Sequence, residues 1–268
     1  MNSIVNNIYI VNMKKDVDRL NRFKKICDSE FKYQIIEGVD VETEMYKDIY
    51  IKWKNNNIFN IDENNFNWKY YTNRYDDLKN ITTKQQAWNH YINFGKKELR
   101  SFNPICDIVN KGQLGCLLSH INILKDAIKN KYESILVLED DIILTSHYNE
   151  KTLYNLKSYT KNNEWKLIYL GAGQHCWNNI EYIENFYFAK KSTGTFAYMI
   201  HHTFYHILLE QFEKMKKPVD NYLVDIQSSY YKQILVLFPN IIVCNLENSN
   251  IGQMRKNDIW FKKFKWIL

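Results

Sequence analysis

The sequence has few residues that interrupt regular secondary structure or can form disulfides, with 3 prolines, 8 glycines and 5 cysteines among 268 residues. So little proline and glycine excludes a collagen-like or linker-dominated chain. The cysteines form no CxxC pair and are odd in number, which argues against a disulfide framework or zinc ribbon and favours reduced thiols in a cytosol-like compartment. They are Cys27, Cys106, Cys116, Cys176 and Cys244.

Long apolar runs and a secretion signal are also missing. No run approaches the ~20 residues needed to span a bilayer, and residues 1–7 lack the basic and apolar regions of a signal peptide. We therefore expect a soluble, cytoplasmic protein. The net charge of +6 is modest and comes from dispersed lysines and arginines. It argues against nucleic acid as a partner and is compatible with phosphorylated ligands, anionic glycans or a membrane surface.

Apolar content is ample, at 45% hydrophobic and 15% aromatic residues, which excludes disorder and supports a large core. Strand patterns at residues 8–11 and 33–36 flank a helical repeat, as in a βαβ unit, which binds ligands at the carboxyl ends of its strands. Further strand patterns occur at residues 135–138, 142–144, 165–170, 196–200 and 233–238, and helical patterns at 112–128 and 203–215. This alternation predicts an α/β fold.

Residues 45–105 have a different character, because asparagine and aromatic residues crowd together and a helical pattern runs over residues 67–95. We interpret this segment as a helical subdomain inserted into a single domain that spans residues 1–268.

Three adjacent acidic residues, Glu139, Asp140 and Asp141, lie between two apolar runs. Like charges this close repel one another, and burial near a strand end adds to the repulsion. Either they face water in a turn, or a cation neutralises them. Oxygen ligands of this kind suit Mg²⁺ or Mn²⁺.

Each of the other candidate residues allows a functional and a structural interpretation. Arg19 either contacts phosphates or belongs to a solvated helix face. Gly115 lies near a helix N-terminus, which attracts anions, although the pattern is neither GxGxxG nor a P-loop. His120 is a core residue or a ligand. Asp220 and Asp225 follow Pro218 and suit either a general base or a helix cap.

Two histidine and aromatic patterns need separate mention. His202 and His206 have zinc-compatible spacing, but without an HExxH pattern we interpret them as exposed. The tail, residues 259–268, interleaves basic and aromatic residues. Such a tail contacts a membrane interface, closes over a nucleotide site or packs on the core.

Taken together and in this order, the segments resemble glycosyltransferase family 25, which contains bacterial lipooligosaccharide galactosyltransferases and procollagen galactosyltransferases. The matching pieces are residues 9–13 (YIVNM) with Arg19, 37–40 (EGVD), 112–120 (GQLGCLLSH), 135–141 (ILVLEDD), 194–198 (GTFAY) and 218–220 (PVD). Residues 68–98 resemble a short helical module found beside some bacterial and viral glycosyltransferases. Interrupting a family 25 domain in this way is a departure from the family pattern.

The resemblance implies a GT-A fold, a Rossmann-like mixed sheet flanked by helices, which binds a UDP-sugar and Mn²⁺ or Mg²⁺. The nucleotide-binding residues it implies are Asn12, Met13, Arg19, Asp40, Gly115, Ser119, His120, Glu139 and Asp140. It implies Asp141 and Glu139 as metal ligands, and Gly171, Gly194 and Thr195 near the donor or acceptor sugar. Asp220 is the expected catalytic base, with Asp225 in reserve.

The function expected from this resemblance is inverting transfer of a hexose, galactose or glucose, from a UDP-hexose to a hydroxyl of a glycan or of a protein hydroxylysine. The alternative is a non-catalytic module that binds a nucleotide sugar or a glycan. A third hypothesis, a basic membrane-surface protein, depends on the tail alone.

Overall fold

The computed structural model describes residues 1–56, 63–64, 66–98, 100, 102, 107–246 and 257–268. Cys106 and the carboxyl-terminal boundary expected for the insertion lie outside these residues. The strands are β1 (Asn7–Asn12), β2 (Gln34–Glu37), β3 (Ser134–Glu139), β4 (Ile142–Leu144), β5 (Leu167–Tyr169), β6 (Gly173–Gln174), β7 (Tyr182–Ile183), β8 (Phe186–Phe188), β9 (Ser192–Thr193), β10 (Ala197–His201), β11 (Ile234–Leu237) and β12 (Ile242–Cys244). The helices are α1 (Val17–Cys27), α2 (Lys47–Asn56), α3 (Trp68–Arg74), α4 (Lys84–His90), α5 (Lys111–Lys129), α6 (Glu150–Asn162), α7 (His202–Phe212), α8 (Val219–Gln227) and α9 (Asn257–Phe264).

Eight strands form one mixed sheet in the order β2-β1-β3-β10-β5-β11-β8-β7. β1 is parallel to β2 and β3, whereas β10 is antiparallel to both of its neighbours, β3 and β5. This architecture confirms the predicted α/β class with a Rossmann-like mixed sheet. β4 forms as expected, but it pairs with β12 in a separate two-stranded sheet, because the turn at residues 140–141 takes the chain out of the main sheet.

The two faces of the sheet carry separate cores, and alternation along the strands assigns side chains to each. In β1, Tyr9 packs in the core beneath α5 and α7, whereas Ile8 and Ile10 pack in the core beneath α1 and α6. This is the alternation expected of a strand covered on both faces. The parallel register pairs Val11 of β1 with Glu139 of β3, so both strands end at the same edge.

The tail packs on the second of these cores, which was one of the three expectations for it. Phe261, Phe264 and Trp266 are buried there, and Nε1 of Trp266 donates a hydrogen bond to the carbonyl of Ala172 at 2.8 Å. Nζ of Lys265 lies 4.0 Å from the centre of the Trp177 ring. Phe261, Phe264 and Trp266 therefore contribute to this core.

The predicted helical segment contains α2, α3 and α4, and its two halves pack differently. Trp53 of α2 belongs to the core beneath α5 and α7. The later helices enclose a small aromatic core of their own, in which Tyr71 and Tyr91 are buried. Arg74 of α3 contacts Asp107 at 2.7 Å and links this small core to the segment before α5.

Among the residues that the structure describes, no helix combines the length and the apolar character required to cross a membrane.

Close packing between α5 and the segment after β2 generates a first prediction. A methyl group added to Gly115 would overlap the carbonyl oxygen of Val39, a backbone atom that cannot move alone. We expect Gly115→Ala to lower the free energy of unfolding by about 1–3 kcal/mol, measured by urea denaturation.

The control is Gly112→Ala in the first turn of the same helix. There the same substitution should be neutral or stabilising by up to ~1 kcal/mol, because alanine is the better helix former. Equal effects of the two substitutions would contradict the packing argument.

Candidate functional site

Two cavities adjoin at the carboxyl end of β3. The first, of about 230 Å³, lies between α1, the segment after β2 and the first half of α5. The second, of about 310 Å³, lies between the β9–β10 segment, the start of α8 and the tail. Cys116, Glu139 and Asp141 line both cavities, so they form a shared wall.

The first cavity brings together nearly all of the residues expected to bind a nucleotide. They are Met13, Arg19, Asp40, Gly115, Ser119, His120, Glu139 and Asp140. Asn12 lies behind this surface, where its Nδ2 donates a hydrogen bond to Oδ2 of Asp140 at 2.6 Å. Asn12 therefore orients the carboxylate of Asp140 and does not itself line the cavity.

Ser119 and Gly115 of α5 contact the segment after β2 on the opposite side of this cavity from α1. The amide of Val39 donates to Oγ of Ser119 at 2.8 Å, and that hydroxyl donates to the carbonyl of Gly115 at 2.8 Å. The missing side chain of Gly115 lets the Val39 carbonyl approach the helix. These residues fix the segment that carries Asp40.

The acidic residues at the end of β3 face one arginine. Nη2 of Arg19 contacts the carboxylate of Asp140 and lies 2.9 Å from Oδ2 of Asp141. Burial raises the pKa of Asp140 even beside this cation, and burial raises the pKa of Asp141 to about 6. Burial, together with the charge of Asp141, raises the pKa of Glu139 to about 8. Within the described ranges, one guanidinium contacts these carboxylates, which leaves the cluster short of positive charge.

Asp141 has the features of a cation ligand. Its Oδ1 is buried and has no hydrogen-bond partner within the described part of the chain. A buried carboxylate oxygen without a partner is unfavourable unless something absent from the protein satisfies it. Two carboxylates, Asp141 and Glu139, line both cavities and supply the oxygen ligands that Mg²⁺ or Mn²⁺ prefers. The residues present thus fit a divalent cation.

The second cavity joins this cluster to the segment before β10. Oγ1 of Thr195 donates to Oε1 of Glu139 at 2.6 Å, and the amide of Gly194 donates to Oδ1 of Asp220 at 2.9 Å. Asp220 lies in the first turn of α8, and its carboxylate lines the cavity. The expected base and two of the expected sugar-site residues are therefore neighbours.

Gly171 and Asp225 are not among the residues that line either cavity. Gly171 is buried against the backbone of Ile242, where an added methyl group would overlap the carbonyl oxygen. Its role in this arrangement is close packing. Asp225 has a 53% exposed side chain and pairs with Lys217 at 2.5 Å. His202 and His206 are exposed, as expected.

Sequence reasoning missed Cys116 and much of the second cavity. Cys116 lies within the matching segment 112–120 but was given no role. The other residues of the second cavity that were given no role include Gly173, His175, Thr193, Cys244, Asn245, Leu246, Phe264 and Trp266. The spacing of the tail aromatics was a usable signal, because residues 261 and 264 lie on one helical face.

Comparisons with known proteins identify a matching family and several relatives. The family model for glycosyltransferase family 25 (LPS biosynthesis protein) matches residues 5–223. The chain is 25% identical to mouse procollagen galactosyltransferase 2 and 23% identical to the human protein of that name, over 61% of this chain and 20% of each relative. It is 31% identical to a glycosyltransferase 25 family member of Aedes aegypti, over 42% of this chain and 19% of that relative. The matched region thus spans about a fifth of these relatives.

The raised pKa of Glu139 generates a second prediction. The folded protein binds the proton of the Glu139 carboxyl more tightly than the unfolded chain does, because the pKa of this carboxyl in the unfolded chain is 4.5. The contribution of Glu139 to the free energy of unfolding therefore falls as the pH rises from 4.5 to about 8. We expect Glu139→Gln, which keeps the acceptor for Thr195, to be more stable than the parent at pH 8 and to lose that advantage towards pH 5.

Chemical denaturation in EDTA at several pH values measures this difference, which should be of the order of 1 kcal/mol per pKa unit. The exposed Glu164, changed to Gln, is the control and should leave the pH profile unchanged. Parallel profiles of Glu139→Gln and the parent would contradict the prediction.

Proposed function

The chain belongs to glycosyltransferase family 25, and on that basis we propose that it transfers a hexose from a UDP-sugar to a hydroxyl of a glycan or protein acceptor. The observation that supports this proposal is the acidic wall shared by the two cavities. A transferase must hold a donor and an acceptor on either side of one reacting carbon. Glu139 and Asp141 lie where two such substrates would meet.

The first cavity is the proposed donor site. Its residues from the ends of β1 and β2 and the start of α5 lie at the strand ends where α/β sheets bind ligands. Asp40 and Met13 would contact the nucleoside, and Arg19 would lie near the diphosphate. The names of the mouse and human relatives favour galactose as the hexose, with glucose as the second candidate.

A divalent cation, Mn²⁺ or Mg²⁺, is part of this proposal. Asp141 and Glu139 would hold it, and it would stabilise the charge that develops on the departing UDP. A diphosphate is itself negative and would be repelled by the acidic cluster alone. Arg19 contributes a positive charge that contacts Asp140 and Asp141 directly.

The second cavity is the proposed acceptor site, and Asp220 is the proposed general base of an inverting reaction. Inversion requires a base that takes the proton of the acceptor hydroxyl on the face away from the leaving group. Asp220 lines the cavity on the side of α8, and its hydrogen bond from Gly194 orients the carboxylate. Phe264 and Trp266 offer apolar faces for an acceptor glycan or a hydroxylysine side chain. Membrane contact through the tail stays a prediction.

Release of UDP from a panel of UDP-sugars tests the donor and the cation together. We expect release from UDP-galactose or UDP-glucose with Mn²⁺, loss of release in EDTA, and recovery when Mn²⁺ is returned. Asp141→Asn should raise the Mn²⁺ concentration needed for half-maximal release, because it removes a proposed ligand. If the protein binds UDP but releases no UDP from any UDP-sugar, the result would contradict the enzyme proposal and support the alternative, a non-catalytic binding module.

Asp220→Asn tests the base. We expect transfer to fall by about 10²–10⁴-fold while UDP binding, measured by calorimetry, is retained. Asp225→Asn is the matched control, since Asp225 lies on the same helix but is exposed and paired with Lys217. Transfer that survives in Asp220→Asn would assign the base to another residue.

A further inference from the structure

A second group of side chains that could ligate a metal includes two residues of the shared wall, Cys116 and Glu139, and His120 of the first cavity. Sγ of Cys116, a ring nitrogen of His120 and a carboxylate oxygen of Glu139 all lie within 4.8 Å of one another. Cys116 and His120 are four residues apart on α5, and residues at this spacing project from the same face of a helix. Glu139 is the last residue of β3. The three side chains thus converge from two regular elements.

His120 has a polar atom that the described protein leaves unsatisfied. The residue is 1% exposed, and its Nδ1 lies 2.6 Å from the hydroxyl of Tyr198. Its Nε2 is buried without a hydrogen-bond partner in the described residues. Burial lowers the pKa of His120 to about 4, so the ring is neutral at neutral pH. A histidine that ligates a metal with one nitrogen characteristically donates from the other to a neighbouring oxygen, as Nδ1 is placed to do here.

We propose that Cys116, His120 and Glu139 bind a thiophilic divalent cation such as Zn²⁺, at a site that shares Glu139 with the proposed donor-cation site but has different remaining ligands. A sulfur, an imidazole nitrogen and a carboxylate oxygen suit Zn²⁺ or Co²⁺ better than Mg²⁺ or Mn²⁺. The cation replaces the thiol proton of Cys116 and the proton of the Glu139 carboxyl, and both protons leave to solvent. Three protein ligands leave a fourth position for water.

The consequence for catalysis rests on the proposed function, because Glu139 belongs to both cation sites. A cation held by Cys116 and His120 would engage Glu139 and remove it from the donor cation. Zn²⁺ should therefore inhibit sugar transfer even when Mn²⁺ is present, and the zinc concentration for half-inhibition should rise in Cys116→Ser.

Titration of the chelator-treated protein with Co²⁺ tests the site without any substrate. A thiolate bound to Co²⁺ gives a charge-transfer band that carboxylate ligands do not give. We expect this band to saturate at one equivalent of Co²⁺, to disappear on addition of Zn²⁺ and to be lost in Cys116→Ser. Cys176→Ser is the matched control, because Cys176 is a free, partly exposed cysteine outside both sets of lining residues.

Two further variants separate this site from its surroundings. Tyr198→Phe removes the hydroxyl beside Nδ1 and should weaken Co²⁺ binding by about tenfold while keeping the band. Asp141→Asn should keep the band, because Asp141 is a ligand only of the proposed donor cation. Circular dichroism of each variant checks its folding. Absence of the band in the parent, its survival in Cys116→Ser or its loss in Asp141→Asn would overturn the proposal, whatever the UDP-sugar assays give.

Discussion

The shortage of positive charge at the end of β3 is the constraint on which the rest of the site depends. Glu139, Asp140 and Asp141 are held together by the strand and the turn, and Arg19 is the cation that contacts two of them. Burial raises the pKa of all three carboxyls. Under the proposed function, a cation would lie between this cluster and the negative oxygens of a nucleotide diphosphate, because like charges this close repel one another.

The sheet makes this arrangement possible through register. Val11 lies beside Glu139, so the chain leaving β1 passes the acidic turn, and α1 then returns Arg19 to it. On the other side, β10 runs antiparallel to β3, and the segment that enters it carries Gly194 and Thr195 to the same point. Both cavities thus depend on the central position of β3.

Periodicity predicted the elements that surround the first cavity, whereas the assignment of Met13, Asp40 and Ser119 to it came from the resemblance to glycosyltransferase family 25. The apolar runs around residues 135–144 placed the acidic triplet at a strand end, and the helical pattern of α5 placed Gly115 and Ser119 in its first turns. The second cavity could not be derived in this way. It combines residues from position 113 to position 266, and no local pattern encodes which distant segments meet. Periodicity also could not show that β4 pairs outside the main sheet, or that Gly171 serves packing.

The tail has one more consequence, for how this protein can change over evolutionary time. Phe264 and Trp266 line the second cavity and are also buried in a core of the sheet. Replacing either residue to reshape the cavity would therefore also leave a void or an overlap in that core. A change in the ligand specificity of the second cavity is therefore expected to require paired substitutions, in which a change at a neighbouring core residue compensates for the change in packing.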